Sequence, residues 1–534
     1  SSNSWQETIQ STIEIERCKF INNSIVTSAN SGEKEDGRGA ALFISTTQSI
    51  GLAISDSQFV DNRIHNLAAS EPAQGAALYV EQQADSTSTS QISVIKSELH
   101  LNRIDSNTAE ALGGAMFIRA SRAEVTIDQC SITRNSIMSR QTRSIGGAVC
   151  CMDVGSLRIS NSNLTSNGVI GSNFRVAGGG AVAMLSSLSQ SNNRRNSVRS
   201  SNSAQSSNFQ VSDSRFFNNS AACRDTEIVE SMCLGGSMYL SQTDSQLERV
   251  TFDSSSVINQ GIASALGGAA MIESSTHWWS EIDITRCKVL SSGASKASGG
   301  AVHASLISSF TLDQDSRCSS CSAVSSSTSP STSTSNTNQE AHGGCLDLEF
   351  DISHSLDGNR LLIDRSQFIG NHVEGSVRAS GGALRISSTG ASSSSIISSS
   401  APNQFEISHS EFESNMVTGG AGAAGSAINV PLSVASLHGG AASIDIPSSS
   451  SWMIHNVTFH NNQVRGANSL TSAGGALLME LSQSSSSSSS KSRVSISSSR
   501  MISNSVIGGD ASLTSKRKGS ITAHGGHGYG GAIA

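Results

Sequence analysis

His303, Asp347 and Arg385 stand at one place in three successive copies of a short phrase, GAVHA, GCLDL and GALRI. An imidazole, a carboxylate and a guanidinium so related could move a proton and hold an acidic sugar, the chemistry of a polysaccharide lyase or hydrolase. Glycoside hydrolysis normally uses two carboxylates, and this row offers one. The alternative is a ladder of surface ion pairs, worth little in energy. The same place in three earlier copies holds Phe43, Tyr79 and Phe117. Three rings in line could bind a sugar face or a partner, or could simply stack and support the chain beneath them.

Such rows exist only because the sequence repeats. The phrase S-x-F-x-x-N returns thirteen times, anchored on Phe20, Phe59, Leu99, Ile132, Leu164, Phe216, Phe252, Val289, Cys318, Phe368, Phe412, Phe459 and Met501, at intervals of 29 to 52 residues. Three residues after the anchor comes asparagine in ten copies: Asn23, Asn62, Asn102, Asn135, Asn167, Asn219, Asn371, Asn415, Asn462 and Asn504. Three consecutive copies carry Ser255, Ser292 and Cys321 instead. Seven and five residues before the anchor sit two apolar residues, as in Leu52/Ile54, Ile282/Ile284 and Leu361/Ile363. One copy keeps only Leu247, and Phe310/Leu312 is displaced by one residue from Cys318.

Apolar residues two apart mark a strand with one buried face. The odd step from there to the anchor requires a bend, or the anchor would face outward. The GGA phrase supplies a third strand, at 40–44, 76–80, 114–118 and onward to 426–430 and 475–479. Three short strands with bends between them make a triangular coil. Stacked coils make an all-β fold, a right-handed single-stranded parallel β-helix of the pectin-lyase type, with about 12 coils over roughly 60 Å. The asparagines then form a hydrogen-bonded ladder at one corner, or else merely tolerate its turn conformation. In the GGA strand Leu384 and Ile386 face the core, so Arg385 and its equivalents face out.

The remaining polar motifs are weaker. His277-Trp278-Trp279 and the His524/His527 pair read as loop features. The tryptophans could touch carbohydrate. The histidines lack further ligands at fixed spacing, so neither a metal nor a cofactor is expected. Of ten cysteines, Cys18, Cys130 and Cys287 share one repeat position on distant coils and read as buried small hydrophobes. Cys223 and Cys233 flank one loop and are the best disulfide pair, while Cys318-x-x-Cys321 reads as core packing. Four glycosylation sequons occur, at Asn22, Asn163, Asn218 and Asn456. Alternation points Asn163 and Asn456 outward and leaves Asn22 and Asn218, at a bend, open.

The pairing of G-G-A-[ILV] with F-x-x-N, seen in GGAL (381–384) with FIGN (368–371), GGAV (146–149), GGAL (474–477) and FVDN (59–62), resembles the repeats of chlamydial polymorphic outer-membrane proteins. Similar repeats occur in other bacterial and protist surface proteins. The resemblance runs along essentially the whole chain. It implies a surface-exposed right-handed β-helix with a role in adhesion.

Composition narrows the classes further. Charged residues are 14% with a net charge of -7, which argues against a nucleic-acid binder. No run of eighteen apolar residues occurs, so no membrane-spanning helix is expected. Serine makes up about a fifth of the chain and gathers near 185–207, 325–338, 387–400, 483–491 and 508–528, which are expected as surface loops. Residues 1–534 read as one continuous β-helix, opening without an apolar leader and thus as a mature segment of something longer. The expected function is non-catalytic, extracellular or at a cell surface, in adhesion or as a structural component. Its partners would be a surface glycan, a protein receptor or copies of itself. A carbohydrate-active enzyme on the same scaffold is the alternative, and a filament subunit stacking end to end is a third reading.

Overall fold

Alternating apolar residues, broken by left-handed corners at mostly polar residues such as Asp56, Asn22 and Arg17, dictate short strands. The computed structural model describes residues 11–27, 37–67, 72–82, 89–107, 110–140, 143–172, 176–186, 207–224, 232–260, 264–292, 296–326, 340–351, 358–375, 378–389, 402–419, 436–446, 450–466, 471–481, 492–507, 528–529 and 532–533. Among these residues there is no helix. Each strand pairs in parallel with its equivalent one repeat along. Thirteen coils stack this way into a parallel β-helix, matching the thirteen anchor copies and one more than the roughly 12 coils expected.

A coil has five strands, not three. In coil two they are Ile50–Ser55, Gln58–Val60, Arg63–Asn66, Ala73–Gln74 and Leu78–Gln82. The first carries the paired apolar residues and the last the GGA phrase. These two share one sheet, the core sheet, because they run together as single strands in Ala270–Ser280 and Val302–Asp313. Anchor strands form the anchor sheet. Strands after the asparagine corner form an outer sheet, and the short strands before Gly-Gly form a cover sheet, each of thirteen strands.

The main core lies between the core and anchor sheets, with Leu52, Ile54, Phe59, Leu78 and Val80 in coil two. A second core joins the outer and cover sheets through pairs such as Val257 with Ala265 and Val289 with Ala297. In a third, the opposite face of the cover sheet (Leu112, Ile145, Leu234, Leu266) lies on the outward side chains of the GGA strands, including Phe117, Cys150 and Met271. In coils two to seven the GGA strands are therefore buried on both faces, whereas Phe43 of coil one is exposed.

The registers correct two assignments. Ile284, not Val289, pairs with Phe252 and Cys318 in the anchor sheet, while Val289 lies in the outer sheet beside Val257. The inward pair of coil eight is thus His277/Trp279, in register with Ser245/Leu247 and Phe310/Leu312. An imidazole and an indole at core positions hid that pair from an apolar pattern. Residues 426–430 lie outside the described residues, and the GGA strand of coil eleven is Ala442–Ile446. The displaced anchor of coil nine has a local cause. Its first corner carries two left-handed residues, Gln314 and Asp315, where coil two has only Asp56.

Side-chain ladders fasten the corners. Asn102 Nδ2 donates to Asn135 Oδ1 at 2.9 Å and to the Phe59 carbonyl at 2.9 Å, and its backbone N–H donates to the same Oδ1 at 3.0 Å. The pattern repeats from Asn23 to Asn219 and again from Asn371 to Asn504. Between the two runs the ladder position holds Ser255, Cys287 and Cys321. A serine ladder, unanticipated from sequence, runs two residues before the anchor. Ser57 Oγ accepts from the Cys18 N–H at 3.1 Å and donates to the Ser55 carbonyl at 2.7 Å. Ser97, Ser162 and Ser410 do the same. The serine-rich segments expected as loops lie, apart from their ends, outside the described residues.

Replacing Asn135 by alanine strands the buried N–H and Nδ2 of Asn102, so urea unfolding should show a loss of about 1–3 kcal/mol. Glycine tests the turn more sharply. A Cβ on Gly344 would lie 1.9 Å from the Gly382 carbonyl oxygen, whereas Gly370, at φ +62, has nothing within 4 Å. Gly344→Ala should abolish soluble folded protein, while Gly370→Ala costs only the left-handed penalty of roughly 1–2 kcal/mol, as thermal unfolding would register.

Candidate functional site

Strand alternation puts His303, Asp347 and Arg385 on the outward face of the core sheet, in register on three successive coils. That face is not the molecular surface. The cover sheet lies over it, and its residues before Gly-Gly in coils eight to eleven are Ser298, His342, Ser380 and His438. Asp347 is 0% exposed and His303 2%. The expectation of an open catalytic strip is thereby corrected: the row is interior, in a polar continuation of the interface between core and cover sheets.

Within that interface the charges are paired. His303 Nδ1 donates to Asp347 Oδ2 at 2.9 Å, and Arg385 Nη1 donates to Asp347 Oδ1 at 2.8 Å. Glu349 lies 3.5 Å from the same guanidinium and accepts from Lys296 Nζ at 2.8 Å. His342 shares hydrogen bonds with Ser380 Oγ at 2.7 Å and Glu340 Oε2 at 3.3 Å. Burial alone would raise the Asp347 carboxyl, but Arg385 and then His303 outweigh it and hold it well below the usual range. Burial, reinforced by Arg385, lowers His342 to about 4, so the ring is neutral near pH 7. Arg385 is pushed upward because Asp347 and Glu349 overcome its desolvation.

His303, Asp347 and Glu349 offer three ligand atoms within 4.8 Å of one another. The two carboxylates are already neutralised by Arg385 and Lys296, whose positive charges would oppose a cation placed there. The donor set suits an ion-pair network better than a metal.

The aromatic row meets the same cover. Its rings are stacked, Phe43 on Tyr79 at 5.0 Å and Tyr79 on Phe117 at 5.5 Å. Phe43 is 51% exposed, but Tyr79 and Phe117 are 1% exposed. Tyr79 OH donates to Glu81 Oε2 at 2.7 Å, and Arg38 sits over its ring. Of the proposed recognition strip only Phe43 is open to a partner.

The other motifs separate. Trp279 is buried and donates to Ser245 Oγ at 3.1 Å, while His277 Nδ1 lies 2.8 Å from the same oxygen. Only Trp278, in register with Gln246 and Thr311, reaches the outer face. These residues form a strand rather than the expected loop. His524 and His527 lie outside the described residues. Cys223 and Cys233 are joined, with Cα atoms 6.1 Å apart. A second disulfide links Cys318 to Cys345, so Cys318 is not simple packing. Cys287 occupies the ladder position rather than that of Cys18 and Cys130. Burial raises the Cys130 thiol to about 11 and Cys150 to about 12, leaving both unreactive. All four sequon asparagines are exposed, and Asn22, Asn218 and Asn456 occupy left-handed corners.

Sequence reasoning missed Lys296, Glu340, His342 and Glu349. One signal could have found His342: the residue before Gly-Gly is apolar in Leu112, Ile145, Leu234 and Leu266, which betrays a second buried face. Elsewhere, an open depression of about 390 Å³ at the corner of coils eight to ten is lined by Glu281, Ile282, Asp283, Gln314, Asp315 and Arg365. Among the described residues no helix is long and apolar enough to cross a membrane. Comparison with protein-family models, with curated proteins and with solved structures finds no match for this chain.

Removing Asp347 would leave Arg385 and His303 buried without their shared partner. Asp347→Ala should therefore cost about 3–5 kcal/mol in denaturant unfolding at pH 7.

Proposed function

We propose that this chain is a non-catalytic, extracellular or cell-surface β-helix that acts in adhesion or as a structural surface component. The observation that carries the reading is the burial of the row suited to chemistry, His303, Asp347 and Arg385, beneath the cover sheet. A polysaccharide approaching from solvent would meet cover-sheet backbone first. The disulfides Cys223–Cys233 and Cys318–Cys345 suit an oxidising compartment. The resemblance of the GGA[ILV] and FxxN phrases to chlamydial-type surface repeats points the same way. Partners on this reading are a surface glycan, a protein receptor or a second copy, met by the long polar sheet faces.

The test is direct. Protein incubated with acidic polysaccharides should release neither reducing ends nor unsaturated products, whereas protein-coated beads should bind glycan or cell surfaces. Tyr79→Phe, which alters only a buried hydroxyl, should leave that binding unchanged. Turnover that disappears in His303→Gln would overturn the reading in favour of an enzyme.

A further inference from the structure

The asparagine ladder is broken over coils seven to nine, where its position holds Ser255, Cys287 and Cys321. At the lower edge of the break Ser237 Oγ bonds Ser255 Oγ at 2.6 Å. At the upper edge Asn371 Oδ1 accepts from the Cys321 N–H at 3.0 Å, and the ladder resumes. The step between coils eight and nine has no amide on either side. There, sulfur faces sulfur.

Register sets the two cysteines against each other. Thr285 pairs with Ser319 and Lys288 with Ser322, so the corner residues between them, Cys287 and Cys321, are stacked. Stacked residues have Cα atoms about 4.8 Å apart, inside the roughly 4.4–6.8 Å that a disulfide spans. Side chains at this position meet across coils, as Asn102 Nδ2 and Asn135 Oδ1 do at 2.9 Å. Both sulfurs lie over the carbonyl two residues back, Cys287 Sγ 3.5 Å from Thr285 O and Cys321 Sγ 3.4 Å from Ser319 O, so the side chains point the same way. The Cys321 sulfur lies against both the Cys287 thiol and the Cys287 N–H, the two groups an asparagine Oδ1 would meet. Of the six free cysteines, these two alone are register neighbours on adjacent coils.

We propose that Cys287 and Cys321 form a third disulfide, a covalent staple that joins coil eight to coil nine where the amide ladder fails. The bonds Cys223–Cys233 and Cys318–Cys345 each lie within one coil, so this would be the bond that ties one coil to the next. The oxidant is a small-molecule disulfide such as oxidised glutathione. The thiolate of one cysteine attacks it and releases one small thiol, and the second cysteine then displaces the other. The pair gives up two protons and two electrons, and the small disulfide takes them as two thiols. Rotation of the sulfurs toward each other, with an approach of the two corners by up to about 1 Å, closes the bond. Burial, and then the Cys287 thiol beside it, holds the Cys321 thiol well above its ordinary value. The folded chain therefore offers no thiolate, and the exchange takes place as the coils stack. Once formed, the bond is shielded from reductant by the same burial.

Non-reducing peptide mapping tests this on the intact chain, refolded in a glutathione redox buffer and then denatured with N-ethylmaleimide present. Trypsin releases Cys287-Lys288 as a dipeptide and leaves Cys318, Cys321 and Cys345 together in the fragment 318–360. The staple predicts that dipeptide disulfide-linked to that fragment, with no maleimide on either. Four of the ten cysteines should then be blocked, where two disulfides alone would leave six. Cys321→Ser should release the dipeptide carrying maleimide while Cys318–Cys345 stays intact. A blocked dipeptide from the parent, or a dipeptide still linked in Cys321→Ser, would overturn the proposal. If the variant fails to fold, fragmentation of the linked parent peptide decides: attachment at Cys321 supports the staple, and attachment at Cys318 or Cys345 contradicts it.

Discussion

Among the described residues almost every side chain in the stack meets the equivalent side chain of the next coil, because the strand pairs are parallel and, apart from shifts at Ser275/Thr276 and Ser305/Ile307, in register. With neighbouring strands about 4.8 Å apart, whatever one coil places at a position, its neighbours must tolerate there. Rings respond by stacking, as Phe20 on Phe59 at 4.7 Å and Phe368 on Phe412 at 4.7 Å. Amides respond by chaining, since each asparagine can accept from one coil and donate to another. Charges have the narrowest choice: like charges would repel, so Asp347 stands between His303 and Arg385. The row that most resembles an active site is one outcome of that constraint.

Interruptions of the asparagine ladder show the same rule from the other side. Ser255, Cys287 and Cys321 cannot extend it, and the structure compensates at its edges. The residue after Gly-Gly is alanine in Ala115, Ala148 and Ala181, but becomes Ser237 beside the last asparagine of the first run. Ser237 Oγ receives Asn219 Nδ2 at 3.3 Å and bonds Ser255 Oγ at 2.6 Å. The same position becomes Cys345 at the far side of the gap and is bridged to Cys318. Two substitutions that look unrelated in sequence thus bracket one structural break.

The solenoid was legible in the sequence because its inward positions repeat apolar residues at fixed offsets from an anchor. The asparagine row was legible for the same reason. The cover sheet was not, because its strands are two or three residues long and, apart from Leu437, contribute one small residue each, such as Ala73 or Ala111, to one face. Without that sheet, alternation alone makes Tyr79 and Asp347 look exposed, since it gives the side of a strand and not what lies beyond it. Coil eight was misread because His277 and Trp279 occupy positions that are apolar elsewhere. Ser245 supplies the partner that makes such polar atoms tolerable inside, and its serine carries no distinguishing mark in a chain so rich in them.

The central claim is that the outward row of the GGA strands is interior. Hydroxyl-radical footprinting at neutral pH reads it directly, since Phe43, Met453 and Met138 should be oxidised rapidly while Tyr79, Phe117 and Met271 are protected. Oxidation of Tyr79 and Phe117 at rates comparable with Phe43 would contradict the account, and would return that row to the surface as a site open to substrate.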